Sequence, residues 1–93
     1  MISLDSVPIP NPQVVDRLLE GEAVLVHPTR GKVKVLNEVG AAIWSSLDGV
    51  ASAREIAAQI CSRYAVERET AEQDTLAFLE SLQERDLIGL KEN

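Results

Sequence analysis

Between Lys32 and Leu36 polar and apolar residues alternate: Lys32 and Lys34 fall on one side, Val33 and Val35 on the other. A period of two predicts a strand with unlike faces. At Asn37 the alternation stops and a helical pattern begins without a linker, with Leu36, Val39, Ile43 and Leu47 at helical spacing. Asn37 suits an N-cap, because its side-chain oxygen can accept from a free backbone N–H. Upstream, Ala23–His27 (AVLVH) is short and rich in Val and Leu and predicts another strand. The two runs flank PTRG, with Pro28 and Gly31 at turn positions, and together predict a β-hairpin. Val14 and Val15 open a further strand-like patch, although RLLE at 17–20 fits a helix equally well.

The remainder reads as helix. Asp48-Gly49 predicts the end of the first one. Ser52 and Glu55 form a capping-box pattern, in which each side chain satisfies the other's backbone donor. The second helix then has one apolar face, made of Ile56, Ala57, Ile60, Cys61 and Tyr64. Thr70 and Gln73 offer another capping box. Ala71, Thr75, Phe78, Leu79 and Leu82 predict the buried face of the third helix. Leu76 lies off the centre of that stripe, at the margin of the core or lining a groove beside it. LIGL at 87–90 predicts a short extra strand. At the other end, SVPIPNP at 6–12 holds three prolines and predicts an extended, mobile arm over residues 1–12, with a single domain over 13–93. Three short strands followed by three helices make an α+β chain. A three-stranded antiparallel sheet with so few apolar residues must cover one face with the helices.

Composition narrows the picture further. A chain of 93 residues supports one domain with a small core, burying roughly two-thirds of its unfolded surface. Aromatic residues are only Trp44, Tyr64 and Phe78, so aliphatic side chains must fill that core. The net charge is −6, split −2 and −4 between residues 1–50 and 51–93. Neither half offers the basic surface that duplex DNA or an anionic membrane favours. No apolar run approaches the length of a spanning helix, and MISLDSVPIP lacks a basic region before a long apolar core. A single cysteine permits no internal disulfide, which fits the cytoplasm.

Candidate catalytic chemistry is sparse. His27, the only histidine, sits at a strand end, and the expectation for a lone turn histidine is a polar surface residue. It has no cysteine or second histidine to form a metal or nucleophile set. Cys61 on the apolar face of helix two is expected to be a small buried hydrophobe. The acids of helix three read as a solvated face, and the five glycines form no phosphate loop. The expectation is a non-enzyme with no metal and no cofactor.

The strand at 32–36 is the last before the helices, so a simple meander leaves it at a sheet edge. Lysines commonly guard such edges against unwanted pairing. The same edge can instead accept a peptide as an added strand. Arg30, Lys32 and Lys34 gather three positive charges in five residues of an acidic chain, which favours an acidic peptide. An open edge also permits a strand-swapped homodimer.

The stretch GEAVLVHP…GKVKVLNEVGAAIWSSLDGVASAREIAAQI…Y…DTLAFLESLQERDLI resembles the PqqD family of pyrroloquinoline quinone biosynthesis. The resemblance rests on Glu22, Val24, Leu25, Leu36, Asn37, Ile43 and Trp44, then on Leu47, Asp48, Gly49, Glu55 and Ile56. Asp74, Phe78, Leu79 and Leu82 complete it, so it spans about residues 13–90. It implies a winged helix-turn-helix-like fold. It also implies a recognition element that binds the leader region of a ribosomally made precursor peptide. In that reading the leader adds to the third strand, at Lys32, Val33, Lys34, Val35 and Leu36. It lies in a groove against the third helix at Asp74, Thr75, Leu76 and Leu79. Thr75 departs from the aliphatic residue usual after the Asp. The implied partners are the leader and a separate modifying enzyme or leader peptidase, in a lasso-peptide, quinone-cofactor or similar pathway. Two alternatives remain: a structural adaptor subunit that binds no peptide, and a winged-helix DNA-binding domain. The acidic third helix argues against the latter.

Overall fold

The computed structural model describes residues 2–91. Its elements in chain order are β1 (Pro8–Pro10), β2 (Val15–Leu19), β3 (Glu22–His27), β4 (Lys32–Leu36), α1 (Glu38–Ser45), α2 (Ala53–Tyr64), α3 (Arg68–Glu84) and β5 (Ile88–Leu90). β2, β3 and β4 form an antiparallel sheet in that order, and β1 pairs with β5 in a separate two-stranded ribbon. The strand expected to be third is therefore fourth in the chain but third in its sheet. Of the ambiguous RLLE segment, Arg17 to Leu19 are strand and Glu20 enters the turn, because β2 folds back on β3 with Leu19 opposite Glu22. Gly21, in the two-residue turn between them, has a φ of 73° that a side chain would strain.

Register sorts the sheet into two faces. Ala23, Leu25 and His27 of β3 stand opposite Leu36, Lys34 and Lys32 of β4. This face turns toward the helices, and Ala23, Leu25, His27 and Leu36 are buried. Val24 and Val26 stand opposite Val35 and Val33 on the other face, where both β4 valines are exposed. Ile43, Trp44, Ile56, Ile60, Leu79, Leu82 and Leu87 join the inner face to complete the core. The fold class is thus α+β, as the residue pattern predicts.

Caps account for most of the helix boundaries. The Asn37 side chain accepts from the Gly40 N–H at 2.9 Å and starts α1. The Ser52–Glu55 capping box is present and starts α2. Asp48 closes the turn between these helices by accepting from the N–H groups of Val50 and Ala51, each at 2.8 Å. Helix α3 differs from expectation. It begins at Arg68 after Glu67, with no side-chain cap, so Thr70 lies within its first turn rather than capping it. Ala65 ends α2 in the left-handed conformation, and only Val66 and Glu67 separate it from the start of α3.

Of the expected arm over residues 1–12, Met1 lies outside the described residues, and the segment from Ile2 to Asn11 makes specific contacts with the rest of the chain. Pro8–Pro10 pairs with Ile88–Leu90, and Ile2 is buried. Lys91 N–H donates to Val7 O, and Asn11 N–H donates to Leu87 O. Bonded pairs alternate along an antiparallel ladder, so Pro8 and Pro10 occupy the positions where no donor is needed. The arm also completes α2, since Ser6 O and Leu4 O accept from the N–H groups of Ala53 and Arg54. Those are orphan donors of a helix start.

Candidate functional site

β4 pairs with β3 on one side and carries its other edge toward solvent. Asn37 follows it directly, so the first turn of α1 must begin beside that edge. Between β4 and the middle of α3 lies a groove of about 440 Å3. Lys34, Val35 and Leu36 form its strand side, Asp74 and Phe78 its α3 side. Asn37, Val39, Gly40 and Ile43 floor it. Asp74 and Phe78 stand four residues apart and so share one helical face.

Of the residues expected at the site, the structure brings Lys34, Val35, Leu36 and Asp74 together around this groove. Lys32 and Val33 lie earlier on the same strand, both exposed. Thr75 and Leu79 are turned away: they are 1% and 0% exposed and belong to the core. The Thr75 hydroxyl has no hydrogen-bond partner there. Leu76 is half-buried and packs against the core rather than lining the groove. Sequence reasoning missed Asn37, Val39, Gly40, Ile43 and Phe78 as groove residues. Two signals were available: the absence of a linker after β4 places the start of α1 at the edge, and the spacing from Asp74 points to Phe78.

The positive cluster is smaller than the sequence implies. The Arg30 Nε donates to Asp86 Oδ2 at 2.9 Å, which leaves Lys32 and Lys34 as the basic groups along β4. His27 is buried at 2% exposure and is not the surface residue expected. Its Nδ1 accepts from the Arg30 N–H at 3.3 Å, and its Nε2 lies 3.4 Å from the Asn11 side-chain amide nitrogen. Nε2 faces the Asp86 carboxylate at 3.5 Å. His27 thereby ties the β3–β4 turn to the chain after α3, which is a structural use of the ring. Cys61 is half-buried and its thiol donates to Val66 O at 2.9 Å. Among the described residues, no three His, Cys, Asp or Glu side chains gather as a metal set, and no helix is long and apolar enough to cross a membrane.

A second cleft, of about 580 Å3, lies at the opposite edge of the sheet. Pro10, Val14, Asp16, Leu18, Trp44 and Leu47 are among its lining residues. There the Trp44 indole N–H donates to Asp16 Oδ2 at 3.0 Å. β2 is thus the sheet's other free edge, but α3 does not border it. What the β4 side offers is main-chain groups beside an apolar trough flanked by one cation and one carboxylate. That arrangement suits holding an extended chain.

Residues 22–88 match the family described as coenzyme PQQ synthesis protein D (PqqD). The chain belongs to that family. Two solved structures are similar over nearly their whole lengths. One is described as "TbiB1 in Complex with the TbiA(beta) Leader Peptide". It is 33% identical with a TM-score of 0.82, and the match covers 91% of this chain and 99% of that one. The other is "Lasso peptide synthetase B1 complexed with the leader peptide". It is 28% identical with a TM-score of 0.79, covering 89% and 98%. A search of curated proteins found no match.

Proposed function

We propose that this chain binds the leader region of a ribosomally made precursor peptide and presents it to a separate modifying or leader-cleaving enzyme, in a lasso-peptide or related pathway. The observation that carries this reading is the likeness to two proteins solved with leader peptides, together with an open strand edge beside a groove. The leader adds antiparallel or parallel to β4. Main-chain bonds supply affinity, and alternate side chains enter the groove and supply specificity. Catalysis is left to the partner enzyme.

The experiment is a titration of the labelled protein with the leader of the precursor encoded nearest this chain, read by backbone amide shifts. Saturable shifts in Lys32–Leu36 and around Asp74–Phe78 support the proposal. Shifts confined to Val15–Leu19 would move the site to the β2 edge. No shift anywhere, with the protein folded, sinks peptide binding.

One feature favours a second reading, an adaptor that holds an enzyme without touching peptide. The outer face of the sheet exposes Val15, Leu19, Val33 and Val35, and exposed apolar side chains gathered on one face mark a surface for a protein partner. Tight binding to the pathway's enzyme with none to the leader would select it.

A further inference from the structure

Gly40 is buried inside α1, and its backbone is ordinary helix with no positive φ. Glycine is a poor helix former, so conformation gives no reason for it here. Packing does. A Cβ at this position would stand 3.2 Å from both Cε1 and Cζ of Phe78 and 3.3 Å from Leu36 Cβ. Both contacts are tighter than carbon atoms accept without movement. Leu36 is fixed in the core, while Phe78 is half-buried and lines the groove. The end of the ring is therefore the part able to move, and the open groove is where it has room.

We infer that Gly40 is a positioning residue for the groove: its missing side chain lets the Phe78 ring lie down against α1 and keeps the trough deep enough for a bulky apolar side chain of the bound peptide. The inference rests on the proposed function and adds the chemistry of one subsite. Side chains of a strand added to β4 alternate between the two faces of the sheet. On the inner face, the one beside Leu36 falls over Gly40 and Phe78. Leu36, Ile43 and Phe78 line that place with carbon, while Lys34 and Asp74 lie among the other groove residues. A leucine-sized or aromatic group fits there, and a charged one does not.

The test uses the full chain, a dye-labelled synthetic leader from the precursor encoded nearest it, and an alanine series along that peptide, with fluorescence anisotropy as readout. Wild type should lose about 10-fold or more in affinity when one apolar leader residue becomes alanine. Gly40→Ala should weaken the parent peptide by about 10-fold but that alanine peptide very little, so the discrimination collapses. Gly40→Ala combined with Phe78→Leu should restore much of it, because the shorter side chain relieves the contact. Equal weakening of both peptides by Gly40→Ala, or discrimination unchanged from wild type, overturns the inference while leaving peptide binding intact. No binding by wild type overturns both. Should Gly40→Ala fail to fold, Phe78→Leu alone decides. It should tolerate a larger leader side chain at that position than wild type does, and an unchanged size preference overturns the inference.

Discussion

Trp44 shows how one side chain can hold both the core and a surface contact. Its ring is buried at 8% exposure, and its indole N–H reaches Asp16 on β2. Trp44→Ala should cost about 3–5 kcal/mol in denaturant unfolding, through lost burial and the cavity left behind. Trp44→Phe keeps most of the burial and loses the hydrogen bond, so about 1 kcal/mol is expected. Equal costs would mean that the bond, not the burial, matters most. Asp48 makes a different kind of contribution. Two backbone N–H groups, of Ala51 and Val50, hold its carboxyl below the ordinary carboxylate value. A group with a lowered folded value supports folding where it is ionised. Its contribution is complete above the unfolded carboxylate value and fades as pH falls through the folded one. Urea midpoints of wild type should therefore drop more between neutral and acid pH than those of Asp48→Asn. Parallel drops would show that the turn does not depend on the charge.

At the scale of elements, the β4–α1 junction was the most legible part of the chain. A strict period of two meets a capping Asn and a helical period with nothing between, and each signal is local. The groove was half legible. The apolar pattern puts Thr75 and Leu79 on the buried face of α3, where they lie, whereas the family resemblance implies them at the groove, which they do not line. A helix with apolar residues around much of its circumference does not announce which one turns outward, and here it is Phe78 that does. His27 shares the inner face of β3 with Ala23 and Leu25, so the period of two already points it inward; what no local pattern reveals is its partners, Asp86 and Arg30. Lys34 tests the element as a whole. It is half-buried on the groove side, so its charge is screened less than that of exposed Lys32. Lys34→Glu should weaken an acidic leader by about 1 kcal/mol or somewhat more, with a steeper loss at low salt, and leave thermal unfolding nearly unchanged. Unaltered binding would reduce the lysines to guards of the edge.

For the whole molecule, the decisive feature is the one with no periodicity at all. Prolines at 8 and 10 leave a strand pattern that cannot be told from an extended linker, and only the ladder to β5 shows what they are. The segment 2–11 reaches two distant parts of the chain. Leu4 and Ser6 carbonyls complete the start of α2, Val7 to Asn11 pair with the chain leaving α3, and Ile2 is buried in the core. The start of α2 and the end of α3 are thus tied through a stretch that is remote from both in sequence. α3 is also one wall of the groove, so the tie bears on binding through the placement of that wall. Deleting residues 2–10 removes Ile2 from the core along with these backbone bonds. Net of the entropy regained, a loss of about 4 kcal/mol is expected, a large share of what such a domain has. The measurement is chemical unfolding of both forms alongside leader binding, with binding corrected for the fraction folded. If the deletion costs stability alone, corrected affinity stays at the wild-type value, and the segment serves the fold. If corrected affinity also falls, the segment sets the position of α3 against β4. A loss below about 1 kcal/mol with unchanged binding would show the ribbon to be dispensable, leaving α2 capped by Ser52 and water alone.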